Sequence, residues 1–469
     1  MQINPSFAKG IMTAPPSKSM AHRNLICAAL AQGKSIIHNI DFSEDIKATI
    51  SCLESLGVKI QVTSDDNSTS TGAVFKSDTG ETSLIVFGTG GKFTAKSHSL
   101  FCNESGSTLR FFIPIAMLSD QEAIFTGSQT LLSRPLSVYE DICLKQGIIF
   151  EHLEYNEVNQ ANQAATRNPI TNHKEARASK ESYRQLKLHG KLQPDNFSIP
   201  GNISSQFITG LLFVLPLLDS DSTITLTDSI ESRAYIDMTI QTQKCFGIQI
   251  EWKNENTLFI KGKQKYTATE QTVEGDYSNA AFFEAFNSIG GNVTIKGLNP
   301  NSLQGDKIYL EYFKALQKDF CTIDISDCPD LGPILFVIAA LHHGAKFTGT
   351  KRLKIKESDR GSVMCQELAK LGITSNQREN EIIISSLPDK MQQNQQSSQE
   401  NTVPQSVTLL GHNDHRIVMA LTVLLTKVGG TIEGVEAVRK SLPDFFNRIK
   451  KLGIDFEANG EEIKNGMDY

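Results

Sequence analysis

The chain has 469 residues, 39% of them hydrophobic and 21% charged, with a net charge of −6. That length exceeds a single hydrophobic core, so roughly two to four domains are expected in an ordinary soluble protein. The acidic balance excludes a broad nucleic-acid or anionic-membrane surface, and any positive field has to be local to a cleft. The cysteines, at 27, 52, 102, 143, 245, 321, 328 and 365, show no CxxC pair and no Cys/His ligand spacing. They read as reduced and mostly buried, with no structural zinc. Met1 to Ala8 lacks a basic segment ahead of an apolar one, so no secretory leader and a cytoplasmic location are expected. No run of about 18 apolar residues occurs, so no membrane span is expected.

The first informative stretch is Ala14-Pro-Pro-Ser-Lys-Ser-Met-Ala-His-Arg23, followed by the apolar run Leu25-Ile-Cys-Ala-Ala-Leu-Ala31. Two prolines stiffen the backbone ahead of Ser17, Lys18 and Ser19, and the run behind them predicts a helix. Its start offers free N–H groups, hydroxyls and an ammonium together, which suits a phosphate or carboxylate. Arg23, four residues after Ser19, falls on nearly the same face and adds a bidentate donor.

Further along, one pattern recurs: an amphipathic helix, a Leu-Gly or similar stop, and a short strand rich in Ile and Val. Its copies end at Gly57, Gly147, Gly247, Asp319 (in place of glycine), Gly372 and Gly453. Glycine there fits a left-handed helix C-cap, and apolar positions at i, i+3, i+4 and i+7 mark a buried stripe. A second helix type is apolar nearly all round: Phe111 to Leu118, Phe207 to Leu218, Ala280 to Phe286, Leu331 to Leu341 and Ile417 to Leu425. Such helices belong inside a protein. The pattern is one supersecondary unit copied six times. Glu274-Gly-Asp-Tyr-Ser278 is a crossover between two three-unit halves, and the polar stretches 156–182 and 392–406 read as solvated surface insertions.

Basic and hydroxyl residues gather at the helix starts. They include Asn103-Glu-Ser-Gly-Ser-Thr-Leu-Arg110, Ser133-Arg-Pro135, Asn202-Ile-Ser-Ser-Gln206 and Ser232-Arg-Ala-Tyr235. Lys356-Glu-Ser-Asp-Arg360, Asn413-Asp-His-Arg416 and Lys440-Ser-Leu-Pro443 follow. Alone, each is also readable as a capped helix with solvated charges, but caps do not require Arg or Lys. Asp330, at the mouth of the apolar run that begins at Leu331, reads either as an N-cap or as an oriented general base. His415 reads as a proton carrier or as a hydrogen-bonded structural histidine.

Taken in order, SKSMAHR, ESGSTLR, SRP, SSQF, ESRAYID, VEGDYSNA, PDLGP, KESDR, NDHR and KSLPDFF resemble the 5-enolpyruvylshikimate-3-phosphate synthase family over nearly the whole chain. The resemblance implies an α/β fold of two domains, an inside-out α/β barrel. Each domain would hold three βαβαββ repeats with buried helices and outer sheets. It divides the chain into 1–17 with 275–469, and an inserted 18–274, with the active site between them. The implied reaction transfers the enolpyruvyl group of phosphoenolpyruvate to the 5-hydroxyl of shikimate 3-phosphate, by addition and elimination with loss of phosphate. It belongs to the shikimate pathway of aromatic amino acid biosynthesis. No metal and no organic cofactor are implied, and a monomer is expected.

By the same likeness, Lys18, Ser19, Arg23, Ser204, Ser205, Gln206, Ser232, Asp330 and Lys356 hold shikimate 3-phosphate. Lys18, Gly106, Arg134, Gln206, Arg360, Arg416 and Lys440 hold phosphoenolpyruvate. Asp330 takes the hydroxyl proton, and Lys18 with Glu357 handles the others. Two positions depart from the family pattern. Arg352 stands four before Lys356, where some members place a polar contact, and is left out of the expected site. Asn103-Glu-Ser precedes Gly106 in place of a run of small residues. The sister enzyme acting on UDP-N-acetylglucosamine carries Lys-Asn and a reactive loop cysteine. Here Lys18 precedes Ser19, and Cys27 and Cys143 sit in apolar contexts. A non-catalytic anion-binding protein of the same fold would not need Lys18, Asp330 and Glu357 together.

Overall fold

The computed structural model describes residues 1–63, 82–154, 184–388 and 407–458. The polar stretches at 156–182 and 392–406 lie outside the described residues. Among the described residues, five four-stranded sheets and one two-stranded pair surround the helices. Ser99–Phe101, Ala123–Thr126, Arg184–His189 and Ile149–Glu154 are neighbours in that order, the first pair parallel and the other two antiparallel. The sheets built on Asn196–Ile199 and on Cys321–Asp324 repeat this order and polarity. Strands such as Thr257–Ile260 and Glu381–Ile384 alternate between buried and half-buried residues, so each sheet packs one face inward.

Two helix classes fill each unit. The inner helices are Lys18–Leu30, Gly106–Ala116, Ser205–Val214, Tyr277–Ser288, Gly332–Leu341 and His415–Val428, most of whose residues are buried. The outer helices end on the expected glycines, and Gly57, Gly147, Gly247, Gly372 and Gly453 all have positive φ. After Gly57, Gly147, Gly247 and Gly372 the chain enters the strand that begins an antiparallel hairpin, and after Gly453 it enters Phe456–Glu457, which pairs antiparallel with the N-terminal strand. Asp319 is the exception: it is extended, at φ −166°. The chain there runs on to Cys321–Asp324, the edge strand of the next sheet, and this fourth unit contributes only the parallel pair Lys9–Thr13 and Asn292–Lys296.

Apolar side chains gather into two cores. One draws on residues from Ala21 to Val273; the other draws on Met1 to Met12 and Tyr277 to Ile454. The N-terminal strand Gln2–Ile3 completes the last sheet between Gly430–Glu433 and Phe456–Glu457. The chain crosses between the cores twice, side by side. Ser17 N–H donates to the Glu274 carbonyl at 2.8 Å, and Asp276 N–H donates to that of Pro15 at 2.8 Å. No helix among the described residues is long and apolar enough to cross a membrane.

Candidate active site

All six inner helices point their N-termini at one cleft, with about 1130 Å³ of space between its walls. Ser17 to Ser19, Gly106 and Ser107, and Ser204 to Gln206 come from one core's helices. Asp276 and Ser278, Asp330, and His415 with Arg416 come from the other's. Each N-terminus carries roughly +0.5 elementary charge and unpaired N–H groups. Among the lining side chains, seven cations (Lys18, Arg23, Arg110, Arg134, Arg352, Lys356 and Arg416) face five carboxylates (Asp45, Asp276, Asp306, Asp330 and Glu357). An acidic chain thus concentrates a positive excess in a single hollow, which is the local field its composition required.

The cations are held in distinct ways. Lys18 Nζ pairs with Asp45 at 2.7 Å, and its N–H donates to Asp276 at 3.1 Å. Arg23 spends three donors on its own half: the Ser19 carbonyl (2.7 Å), the Tyr235 carbonyl (3.0 Å) and Thr239 Oγ1 (2.9 Å). Burial lowers its pKa to about 10. Arg110 donates to Gln206 at 2.7 Å, and Gln206 donates to Ser107 at 2.9 Å. Arg134 lies so close to Gly106 that a Cβ there would stand 2.8 Å from its Nη1. Burial, then the neighbouring Arg134, lowers Arg110 to about 10. Two adjacent guanidiniums invite an anion between them.

The carboxylates form the opposite side. Asp330 pairs with Arg360 at 2.7 Å, Lys356 at 3.1 Å and Arg416 at 3.4 Å. Burial pushes its carboxyl up, but Arg416, Lys356 and Arg360 outweigh that and hold it well below the usual range. Glu357 behaves alike: burial raises it, and the permanently charged Arg360 and Arg134 bring it well down. Asp306 goes the other way, to about 6, through burial and the nearby Asp330 charge. It accepts from Ser278 Oγ and, at 3.2 Å, from Tyr235 Oη, which reaches it from the other half of the molecule. Burial and then Lys18 keep His415 well below its usual pKa and neutral, with both ring nitrogens buried and lacking a hydrogen-bond partner among the described residues.

Lys18, Ser19, Arg23, Gly106, Arg134, Ser204, Ser205, Gln206, Ser232, Asp330, Lys356, Glu357 and Arg416 all line the cleft, as does His415. Two residues expected there do not line it. Arg360 is 1% exposed, and its guanidinium is engaged by Asp330, Glu357 (2.5 Å) and Asp414 (2.8 Å). Lys440 is turned to Glu104 and to the Asn413 carbonyl, the latter at 2.6 Å. Conversely, Arg352 was left out by sequence and lines the wall. Its Nη1 donates to Ser232 Oγ at 2.6 Å, while the Ser232 N–H donates to Asp327 at 2.6 Å. Ser232 takes φ +58° to make both contacts. Asp45, Arg110, Tyr235 and Asp306 were also unassigned. A signal existed for Arg352, in the basic run from Lys351 to Lys356, but not for which of its cations would turn inward.

The family model for EPSP synthase (3-phosphoshikimate 1-carboxyvinyltransferase) matches residues 4–148 and 174–449. The chain belongs to the EPSP synthase family. A 3-phosphoshikimate 1-carboxyvinyltransferase of Clostridium novyi is 39% identical over 472 residues, covering 97% of each chain. Its namesake in Clostridium acetobutylicum is also 39% identical, over 473 residues and 97% of each. Among solved structures, the EPSP synthase of Acinetobacter baumannii shares the fold at a TM-score of 0.69 and 22% identity, covering 97% of this chain and 98% of that one. The enolpyruvyl transferase NikO of Streptomyces tendae superposes at 0.65 with 11% identity, covering 97% of both. The inside-out α/β arrangement of buried helices and outer sheets is therefore that of the family.

Proposed function

We propose that this EPSP synthase family member transfers the carboxyvinyl group of phosphoenolpyruvate to the 5-hydroxyl of shikimate 3-phosphate, releasing phosphate. The observation that carries the reading is the convergence of six helix N-termini and a cationic excess on one cleft that also holds Asp330 and Glu357. Both substrates are small polyanions, and such a field binds them while their charges are fixed in place. Ser204, Ser205, Gln206, Ser232, Arg23, Ser19 and Lys356 take the acceptor. Arg134, Gly106, Gln206, Arg416 and Lys18 take the donor, and Lys440 joins them from the rim. Arg360 serves by orienting Asp330 and Glu357. Residues 1–17 with 275–469, and 18–274, are the two bodies that close on the ligands, and the enzyme works as a cytoplasmic monomer.

Asp330, ionised at neutral pH, accepts the 5-hydroxyl proton as the oxygen bonds to the donor's central carbon. The methylene carbon gains a proton from the Lys18 ammonium, giving a tetrahedral intermediate. Elimination returns a methyl proton to Glu357, also ionised, as the C–O bond to phosphate breaks. Mixing purified protein with shikimate 3-phosphate and phosphoenolpyruvate and measuring phosphate release tests the reading. No release, or equal release with UDP-N-acetylglucosamine as acceptor, sinks it.

Arg352 joins the acceptor side, since its guanidinium and Ser232 Oγ share one hydrogen bond in the wall. A charge-assisted hydrogen bond to a phosphoryl oxygen contributes about 1.5–3 kcal/mol. Arg352→Gln is therefore expected to raise KM for shikimate 3-phosphate by roughly 10- to 100-fold, with KM for phosphoenolpyruvate changed far less. Steady-state kinetics with each substrate varied in turn checks the split.

A further inference from the structure

Glu104 reaches across the mouth of the cleft. It lies on the loop ahead of the inner helix Gly106–Ala116, two residues from Gly106, and its carboxylate pairs with Lys440 Nζ from the opposite half. Asn413 Nδ2, also from that half, donates to the two Glu104 oxygens at 3.3 and 3.4 Å. Lys440 is fixed in turn by the Asn413 carbonyl at 2.6 Å. Both loops are bent to meet: Asn103, His412 and Asn413 all have positive φ, a conformation non-glycine residues enter at a cost. Asn413 lies three residues before Arg416, so the contact stands at the end of the cleft lined by Arg134, Gly106 and Arg416.

We propose that Glu104 is a built-in occupant of Lys440, which a donor anion has to displace, and that it sets the affinity of the donor subsite. The inference rests on the function proposed above. The Lys440 ammonium cannot give its full charge to a phosphate or carboxylate while a carboxylate already sits on it. The side chains are 13% and 27% exposed, so the pair is wetted on one side. A trianionic ligand offers the ammonium more charge than the single Glu104 carboxylate does, and can therefore take its place. Affinity drops by the fraction of molecules in which the cation is free. Glu104 is therefore a gate on the donor rather than a clamp on the fold.

Titration calorimetry of phosphoenolpyruvate into the full chain without shikimate 3-phosphate, so that no turnover can occur, tests this, with shikimate 3-phosphate titrated separately. Glu104→Gln keeps the shape and loses the charge, and is expected to tighten phosphoenolpyruvate about 3- to 10-fold, with the same fall in its KM. Binding of shikimate 3-phosphate should stay within twofold. Glu104→Asp, one methylene shorter, should fall between. In a Lys440→Met background, Glu104→Gln should change donor binding less than twofold, because no ammonium remains to be released. Unchanged or weakened donor binding in Glu104→Gln, no binding in either protein, or the full gain persisting without Lys440, overturns the proposal. Absent phosphate release by the native protein would instead sink the proposed reaction, and the binding comparison still decides the role of Glu104.

Discussion

Asp330→Asn is expected to lose roughly 10²- to 10⁴-fold in kcat while still binding both substrates, the range ascribed to one positioned acid or base. The side chain changes by one atom, so the mouth of the helix Gly332–Leu341 keeps its shape. Its charge does not survive. Arg416, Lys356 and Arg360 lose a shared counter-ion, and the cleft becomes more positive by one unit. For polyanionic ligands that change favours binding, so a drop in kcat with KM equal or lower is the signature of a lost base. A purely structural Asp330 would weaken binding and folding together. Phosphate release in single turnover, beside calorimetric titration of shikimate 3-phosphate, separates the two. A kcat within tenfold of the native value would remove the assigned role.

Features set by chain-local chemistry were legible in the sequence. Gly57, Gly147, Gly247, Gly372 and Gly453 announce left-handed caps because few other residues tolerate that backbone, and every one has positive φ. Apolar residues around a full turn place Ile417 to Leu425 inside without reference to any partner. Helix starts rich in hydroxyls or cations mark the anion-binding ends of Lys18–Leu30, Gly106–Ala116, Ser205–Val214 and His415–Val428, and these ends meet in one cleft, whereas Tyr277–Ser288 and Gly332–Leu341 start beside Asp276 and Asp330. Long charged side chains were not legible in the same way, because their tips are set by what lies opposite. Arg360 follows its helix cap Asp359, and turns into the protein because Asp414, Glu357 and Asp330 surround it there. Lys440 meets Glu104 only because two loops distant in sequence bend toward each other. Gln2–Ile3 is too short to show any period, yet it closes the last sheet.

Arg360→Met is the substitution expected to cost the fold most, roughly 3–5 kcal/mol, the cost of removing one partner from a buried ion pair. Methionine fills comparable space, so the loss is not a cavity. It comes from carboxylates stranded where water cannot replace the guanidinium. Asp414 is fully buried and keeps only neutral donors, the Ser358 hydroxyl and the Arg416 N–H, both at 3.0 Å. Glu357 loses its strongest opposing charge, and Asp330 retains Lys356 and Arg416. For a body of about 200 residues the loss corresponds to a Tm lower by roughly 6–20 °C. The pH dependence tells whether charge is the cause. In the native protein Asp330 and Glu357 have depressed values, so their stabilisation is complete above the unfolded values of about 4 and fades as pH falls through the folded ones. Without Arg360 the burial of Glu357 is less opposed, its carboxyl rises, and the variant gains relative stability as pH is lowered. The gap between the two proteins should thus narrow from pH 7 to pH 4.5 in thermal or urea melts. A gap of constant size would mean that Arg360 acts by packing alone, and that Glu357 is oriented by something other than its guanidinium.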